Sequence, residues 1–305
     1  MTRTAPPTAH WTERTLVRDG VRLSLRDWGG DGDGAGGTGR RPVLLLHGLA
    51  GHAGEWDGVA RRLRADGHRV LALDQRGHGA SERHPGDVSR AAYVADVLAV
   101  LDLLDELHDE PHGEHGHDGA VLVGQSYGGH AALLTAAAHS DRIAGAVLVE
   151  AGPGGAGPEV VAEVGGWLRA WPVPFASREA AVAYLGGGPV GEGWADGLEE
   201  RDGGLWPRFD PEVLIASLAE NTGRDWWQEW AAIRVPVLAV VGQTGIIGQA
   251  EYEEMARRLP ALRGVCVPGT GHDLHLERPE VLHALVAGFL AEDVAGPCAG
   301  VDSNT

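Results

Sequence analysis

The chain has 305 residues, enough for one large domain or two small ones, and 43% of them are apolar, so a sizeable core can form. A formal charge of −18 argues against nucleic acid or an anionic membrane as a partner. Cys266 lies in an apolar run and Cys298 in the tail; they make no disulfide framework, which fits a reducing compartment. The first residues, Met1 to Trp11, are polar and proline-containing, without an apolar signal core, and no run is long and apolar enough to span a bilayer. A soluble, cytoplasmic protein is expected.

Residues 1–11 read as a flexible arm. Glu13–Asp19 and Val21–Trp28 read as two short strands joined at Asp19-Gly20, a hairpin turn signal. Gly29–Arg41 is rich in Gly and Asp and reads as a loop. Pro42–Leu46 is a continuous apolar run, as expected for a strand covered on both faces, and it ends in His47-Gly48-Leu49-Ala50-Gly51. Ala53–Ala65 has helical spacing through Trp56, Val59, Ala60 and Leu63. Arg69–Leu73 is the next strand and runs into Asp74-Gln75-Arg76-Gly77-His78-Gly79-Ala80-Ser81. In that loop Asp74 and Arg76 are expected to make bracing hydrogen bonds. Ser89 caps a helix to about Leu107, with Tyr93, Val97, Val100, Leu101 and Leu104 on one face. His108, His112, His115 and His117 follow among acidic residues; their spacing matches no defined zinc motif, and a solvated insertion is expected, with no metal site.

Next come a strand, Ala120–Val123, the segment Gly124-Gln125-Ser126-Tyr127-Gly128, and an alanine-rich helix to about His139. A serine between two such glycines can sit on a sharp strand-to-helix turn with its hydroxyl projecting from the sheet end. The residues two before and two after it are crowded, and glycine has no side chain to clash. The N–H groups opening the helix point back toward the serine, which suits a developing oxyanion. Ile143–Val149 is another buried strand, followed by Glu150. From Ala151 to Ala232 prolines, glycines and tryptophans crowd together, which reads as an inserted lid of short helices. Strand–helix alternation resumes with Val235–Val241, Gln249–Leu259, Gly264–Val267 and Pro279–Leu290, before a tail that reads as disordered.

Alternating strands and helices imply an α/β fold, a mostly parallel central sheet with helices on both faces. Ligands in such folds bind at the carboxyl ends of the strands. His47, Asp74, Ser126, Glu150 and His272 all stand at or just after strand ends, so they are expected to converge on one edge.

Four segments in this order resemble the α/β-hydrolase family: His47-Gly48, Asp74 to Ser81, Gly124 to Gly129, and Gly269-Thr270-Gly271-His272 through Pro279. The resemblance implies a hydrolase core over 12–150 and 233–292, a helical cap over 151–232, and flexible termini at 1–11 and 293–305. It implies Ser126 as nucleophile and His272 as its base, with the backbone amides of Leu49 and Tyr127 as the oxyanion hole. His47 would hold the loop beside that hole, and His275 would belong to the turn into the next helix. The reaction implied is cleavage of a carboxylic ester, lactone or thioester through an acyl-enzyme, with no cofactor and a small-molecule substrate as the partner.

The triad acid departs from the family pattern. Family members usually carry it as Gly-x-x-Asp after the strand matching Val237–Val241; here the segment is Gly242-Gln243-Thr244-Gly245, with glycine at the aspartate position. Other members, the haloalkane dehalogenases among them, place the acid one strand earlier, where this chain has Glu150. Glu150 is therefore assigned as the orienting acid, keeping the order Ser…Glu…His. A glutamate that only orders neighbouring loops, Asp273, Glu251, or a dyad without an acid are the alternatives. Two readings are open for the lid tryptophans: the core of a small cap, or the wall of an apolar pocket over Ser126, with Trp167, Trp171 and Trp227 as candidates for the second. A lyase, cyclase or acyltransferase on the same fold is the rival function, and a ligand-binding descendant of such an enzyme is a third.

Overall fold

The computed structural model describes residues 11–29, 40–107, 119–292 and 294. The histidine-rich stretch 108–118, most of the Gly29–Arg41 loop, Cys298 and the expected flexible ends, apart from Trp11 and the buried Val294, lie outside the described residues. The chain opens with β1 (Thr12–Arg18) and β2 (Val21–Asp27). They turn at Asp19 and Gly20, whose φ of 49° and 79° form the left-handed pair a two-residue hairpin turn requires. Then come β3 (Val43–Leu46), a 3-10 turn (Ala53–Trp56) running into α1 (Asp57–Ala65), β4 (Val70–Asp74), α2 (Arg90–Glu106), β5 (Ala120–Gln125), α3 (Ser126–Ala138) and β6 (Ile143–Val149). Ser89 does cap α2: its side chain accepts a hydrogen bond from the Ala92 amide.

The segment after β6 holds α4 (Pro158–Arg169), α5 (Arg178–Tyr184), α6 (Gly188–Asp196), the strands β7 (Glu199–Arg201) and β8 (Gly204–Trp206), α7 (Pro211–Ala219) and α8 (Trp227–Ala232). The β7–β8 hairpin is not part of the sequence expectation. It turns at Asp202 and Gly203, with φ of 47° and 79°, the same Asp-Gly device as in β1–β2. The chain finishes with β9 (Val237–Gly242), α9 (Gln249–Arg258), β10 (Arg263–Val267), α10 (Leu274–Glu277) and α11 (Pro279–Glu292).

The main sheet has eight strands in the order β1-β2-β4-β3-β5-β6-β9-β10. β2 runs antiparallel to both β1 and β4, and the strands from β4 to β10 are parallel to one another. Side chains along a strand point to alternate faces, and the core divides accordingly. Val43 and Leu45 of β3 face one layer, with α1 and α11. Leu44 and Leu46 face the other, with α2, α3 and Trp230 of α8. A third cluster gathers Leu168, Trp171, Phe175, Ala181, Ala195, Phe209 and Leu214 of the inserted segment around Ala50 of the loop after β3. So α8 shares the core of the sheet, whereas α4 to α7 pack around a separate apolar centre that Ala50 also enters.

The loop after β4 is fixed to α2 by a buried ion pair. Arg76 donates from Nε and Nη2 to the two oxygens of Asp96, both at 2.6 Å, and from Nη1 to the Asp87 carbonyl. Neither side chain is more than 2% exposed. Removing one partner strands a buried charge, so Asp96→Ala should lower the unfolding free energy by about 3–5 kcal/mol in urea titration. A loss below about 1 kcal/mol would show that Arg76 has another partner at hand.

Candidate active site

β5 delivers Ser126 to the carboxyl edge of the sheet, and Ser126 itself takes a left-handed φ of 49° as the chain breaks into α3. Two glycines make that turn possible through close approach. A Cβ on Gly124 would lie 2.4 Å from the Gly128 carbonyl oxygen, and one on Gly128 would lie 2.4 Å from the His47 carbonyl oxygen. No real side chain tolerates such distances. The loop after β3 closes over the same spot. A Cβ on Gly48 would stand 3.5 Å from Ser126 Cβ, so the chain just before Leu49 lies against the serine. Tyr127, the next residue, is buried at the start of α3.

His47 holds the Gly48 loop from below. Its Nδ1 lies 2.7 Å from the Gly48 carbonyl and its Nε2 accepts from the Gln75 amide at 3.0 Å. This pattern needs a proton on Nδ1 and a free lone pair on Nε2, hence a neutral ring. Burial pushes the His47 pKa down to about 3. His78, 5.0 Å away ring to ring, is also lowered to about 3 by burial.

His272 comes from the loop between β10 and α10, its side chain one-third exposed. That loop is tied to the serine turn by a residue absent from the sequence expectation: Gln125, whose Nε2 donates to the His272 carbonyl at 3.0 Å. The His272 backbone is thereby fixed beside the residue preceding Ser126. Its Nδ1 stands 3.5 Å from Oε2 of Glu150. The contact is longer than a well-formed hydrogen bond, and such contacts commonly tighten once substrate is bound.

Glu150 is fully buried and takes a left-handed φ of 52° at the end of β6. Its Oε1 accepts from the Gly242 amide and its Oε2 from the Ile246 amide, each at 2.6 Å. The carboxylate fills the space that a side chain at position 245 would need: a Cβ on Gly245 would lie 2.1 Å from both of its oxygens. Glycine at 245 and glutamate at 150 are thus two halves of one arrangement.

Of the two alternative acids, Glu251 is engaged elsewhere. Glu251 accepts from the Gly154 amide at 3.0 Å where the inserted segment begins, and burial raises its pKa. Asp273 stands at the start of α10. Asp74 braces two loops, accepting from the amides of Ala53 at 2.6 Å and Ala80 at 2.9 Å. The candidate tryptophans are dispersed. Trp171 is buried in the third apolar cluster, edge-to-face with Trp167, Trp194 and Phe209, and it lines a small cavity together with Ala50 and His52. Trp167 is 41% exposed. Trp227 packs against the sheet core under the Arg258 guanidinium. Among the described residues no group of three or more His, Cys, Asp or Glu is placed to hold a metal ion. None of their helices is long and apolar enough to cross a membrane.

The alpha/beta hydrolase family model matches residues 43–285. The chain belongs to that family. It is 25% identical to 2-(acetamidomethylene)succinate hydrolase of Mesorhizobium japonicum, over 92% of this chain and 96% of the relative. It is 27% identical to the esterase YbfF of Escherichia coli, over 82% and 92%. The crystal structure of E-2-(acetamidomethylene)succinate hydrolase superposes with a TM-score of 0.78 at 22% identity, covering 92% of this chain and all of that one.

Buried histidines, His47 and His78 among them, give this hydrolase a pH signature. A group whose folded pKa is depressed stabilises the fold above its unfolded value and loses that contribution as pH falls toward the folded value. For His47 and His78 the window runs from 6.5 down to about 3. The urea midpoint should therefore fall below pH 6.5, and His47→Asn should fall less steeply over the same range. Identical slopes for the two proteins would remove His47 from the account.

Proposed function

We propose that the chain is a serine hydrolase that cleaves a carboxylic ester, lactone or thioester through an acyl-enzyme on Ser126. A serine hydroxyl needs a base to be nucleophilic at neutral pH, and His272 is that base. Ser126 Oγ attacks the acyl carbonyl as its proton passes to His272 Nε2. The carbonyl oxygen becomes an oxyanion and accepts from the Leu49 and Tyr127 amides. Collapse of the tetrahedral intermediate breaks the bond to the alcohol, enol or thiol, which leaves with the proton held by His272. Water then attacks the acyl-enzyme and gives a proton to the same imidazole, which passes it to Ser126 Oγ as the acid is released. Glu150 accepts from His272 Nδ1–H throughout, fixing the tautomer and stabilising the imidazolium.

The observation that carries this proposal is the buried Glu150 carboxylate 3.5 Å from His272 Nδ1, in the space left by Gly245. We take α4 to α7 as a cap over the edge where Ser126 sits. Its docking contacts with the core support that: Gly193 carbonyl to His52 Nε2 at 3.0 Å, Asn221 Oδ1 to Arg90 Nε at 2.9 Å, and Ser217 to the hydroxyls of Tyr93 and Tyr127. The aromatic cluster of the cap suits an apolar acyl or leaving group.

Ser126→Ala should cut p-nitrophenyl ester turnover by at least about a thousandfold and abolish labelling by a fluorophosphonate. Full retained turnover would refute the nucleophile. Glu150→Ala should lower kcat by about 10²–10⁴-fold. Adding Gly245→Asp to it should recover part of that loss, because the carboxylate then returns from the neighbouring loop. A double variant no better than Glu150→Ala would show that the two positions are not interchangeable sources of the acid.

A further inference from the structure

A second carboxyl–imidazole pair lies behind the proposed site. Glu55, in the 3-10 turn after the Leu49 loop, reaches His275 in the first turn of α10, with Oε2 and Nε2 3.2 Å apart. The side chains are 2% and 0% exposed. Each end of the pair touches a loop that carries site residues. On one side the Glu55 carboxyl packs onto Gly51, where a Cβ would come within 2.7 Å of Oε2 and 2.9 Å of Oε1. On the other, His275 follows His272 by three residues and lies against Trp56, the ring centroids 5.0 Å apart.

We infer that Glu55 and His275 form an uncharged, hydrogen-bonded positioning pair, Glu55 O–H donating to His275 Nε2, that sets the distance between the Leu49 loop and His272. Burial favours that form and outweighs the neighbours that favour charge, His52 beside Glu55 and Asp273 and Glu277 beside His275. Glu55 faces His52, Asp273 and Asp74, and His275 faces Asp273, His272 and Glu277. No lysine or arginine is among these neighbours, so an ionised Glu55 would be a buried anion beside two aspartates. Burial pushes Glu55 up to about 8 and His275 down to about 4, which leaves both neutral between those values. Deleting the bond leaves a buried nitrogen without a partner and frees the two loops to shift. A misplacement near 1 Å can cost about a hundredfold in rate.

The role rests on His272 acting as the base proposed above, so the pair is tested in two ways. In the intact protein, ¹⁵N NMR of His275 between pH 5.5 and 7.5 should show a neutral ring protonated at Nδ1; an imidazolium would overturn the inference, whatever Ser126 does. The rate of fluorophosphonate labelling of Ser126 then reads the positioning. Glu55→Met should slow it about 10- to 100-fold. Glu55→Gln, which keeps a neutral donor, should restore it to within about threefold of the parent. Met at 55 labelling at the parent rate would reduce the pair to a packing contact, and Gln labelling as slowly as Met would mean that charge is needed. If Glu55→Met does not fold, the NMR result and the Gln variant still decide. Should Ser126→Ala itself remain labelled, the proposed nucleophile fails, while the protonation state seen by NMR still decides whether the pair is neutral.

Discussion

A buried carboxylate must be hydrogen-bonded, and the way Glu150 meets that demand shapes the whole edge of the sheet. Its two oxygens take backbone amides from Gly242 and Ile246, so the end of β6 is stitched to the loop after β9. The loop can bend over it only because residue 245 has no side chain. Held this way, Glu150 presents Oε2 toward His272 Nδ1. β6 lies between β5, which ends at Ser126, and β9. With β10 beyond β9, the strand ends that lead to Ser126, Glu150 and His272 fall along one line of the sheet edge.

Around that line the protein spends buried polar groups on loop placement. His47 under the Gly48 loop, Asp74 between Ala53 and Ala80, Arg76 with Asp96, and Gln125 reaching His272 each join two segments far apart in sequence. The inserted segment is fastened in the same manner. Ser217 of α7 meets the hydroxyl of Tyr127, the residue that follows Ser126.

Much of the fold is legible in the sequence because parallel strands buried on both faces leave continuous apolar runs, and β3 to β6 and β9 are such runs. The serine turn is legible for a different reason: its glycines are dictated by backbone crowding that no other residue relieves. The β7–β8 hairpin escapes detection although its Asp-Gly turn matches the one at 19–20. Its strands are three residues each, Glu-Glu-Arg and Gly-Leu-Trp, too short to show alternation. Long-range polar partners are illegible altogether. Nothing local in Gln125, Glu55 or His275 says that Gln125 meets the loop at 272 or that a glutamate and a histidine 220 positions apart share a hydrogen bond. The position of Glu150 does follow from chain order and the missing aspartate at 245, whereas its amide donors emerge only in three dimensions.

The central claim is that Ser126, His272 and Glu150 act as one unit beneath the Leu49 and Tyr127 amides. A crystal structure of the protein with an alkyl boronic acid, which mimics the tetrahedral intermediate, tests it most directly. The account predicts boron bonded to Ser126 Oγ, one boronate oxygen within hydrogen-bond distance of both amides, and His272 Nδ1 drawn in to about 2.8 Å from Glu150. A boronate bound elsewhere, or His272 turned away from Glu150 with the serine modified, would contradict it.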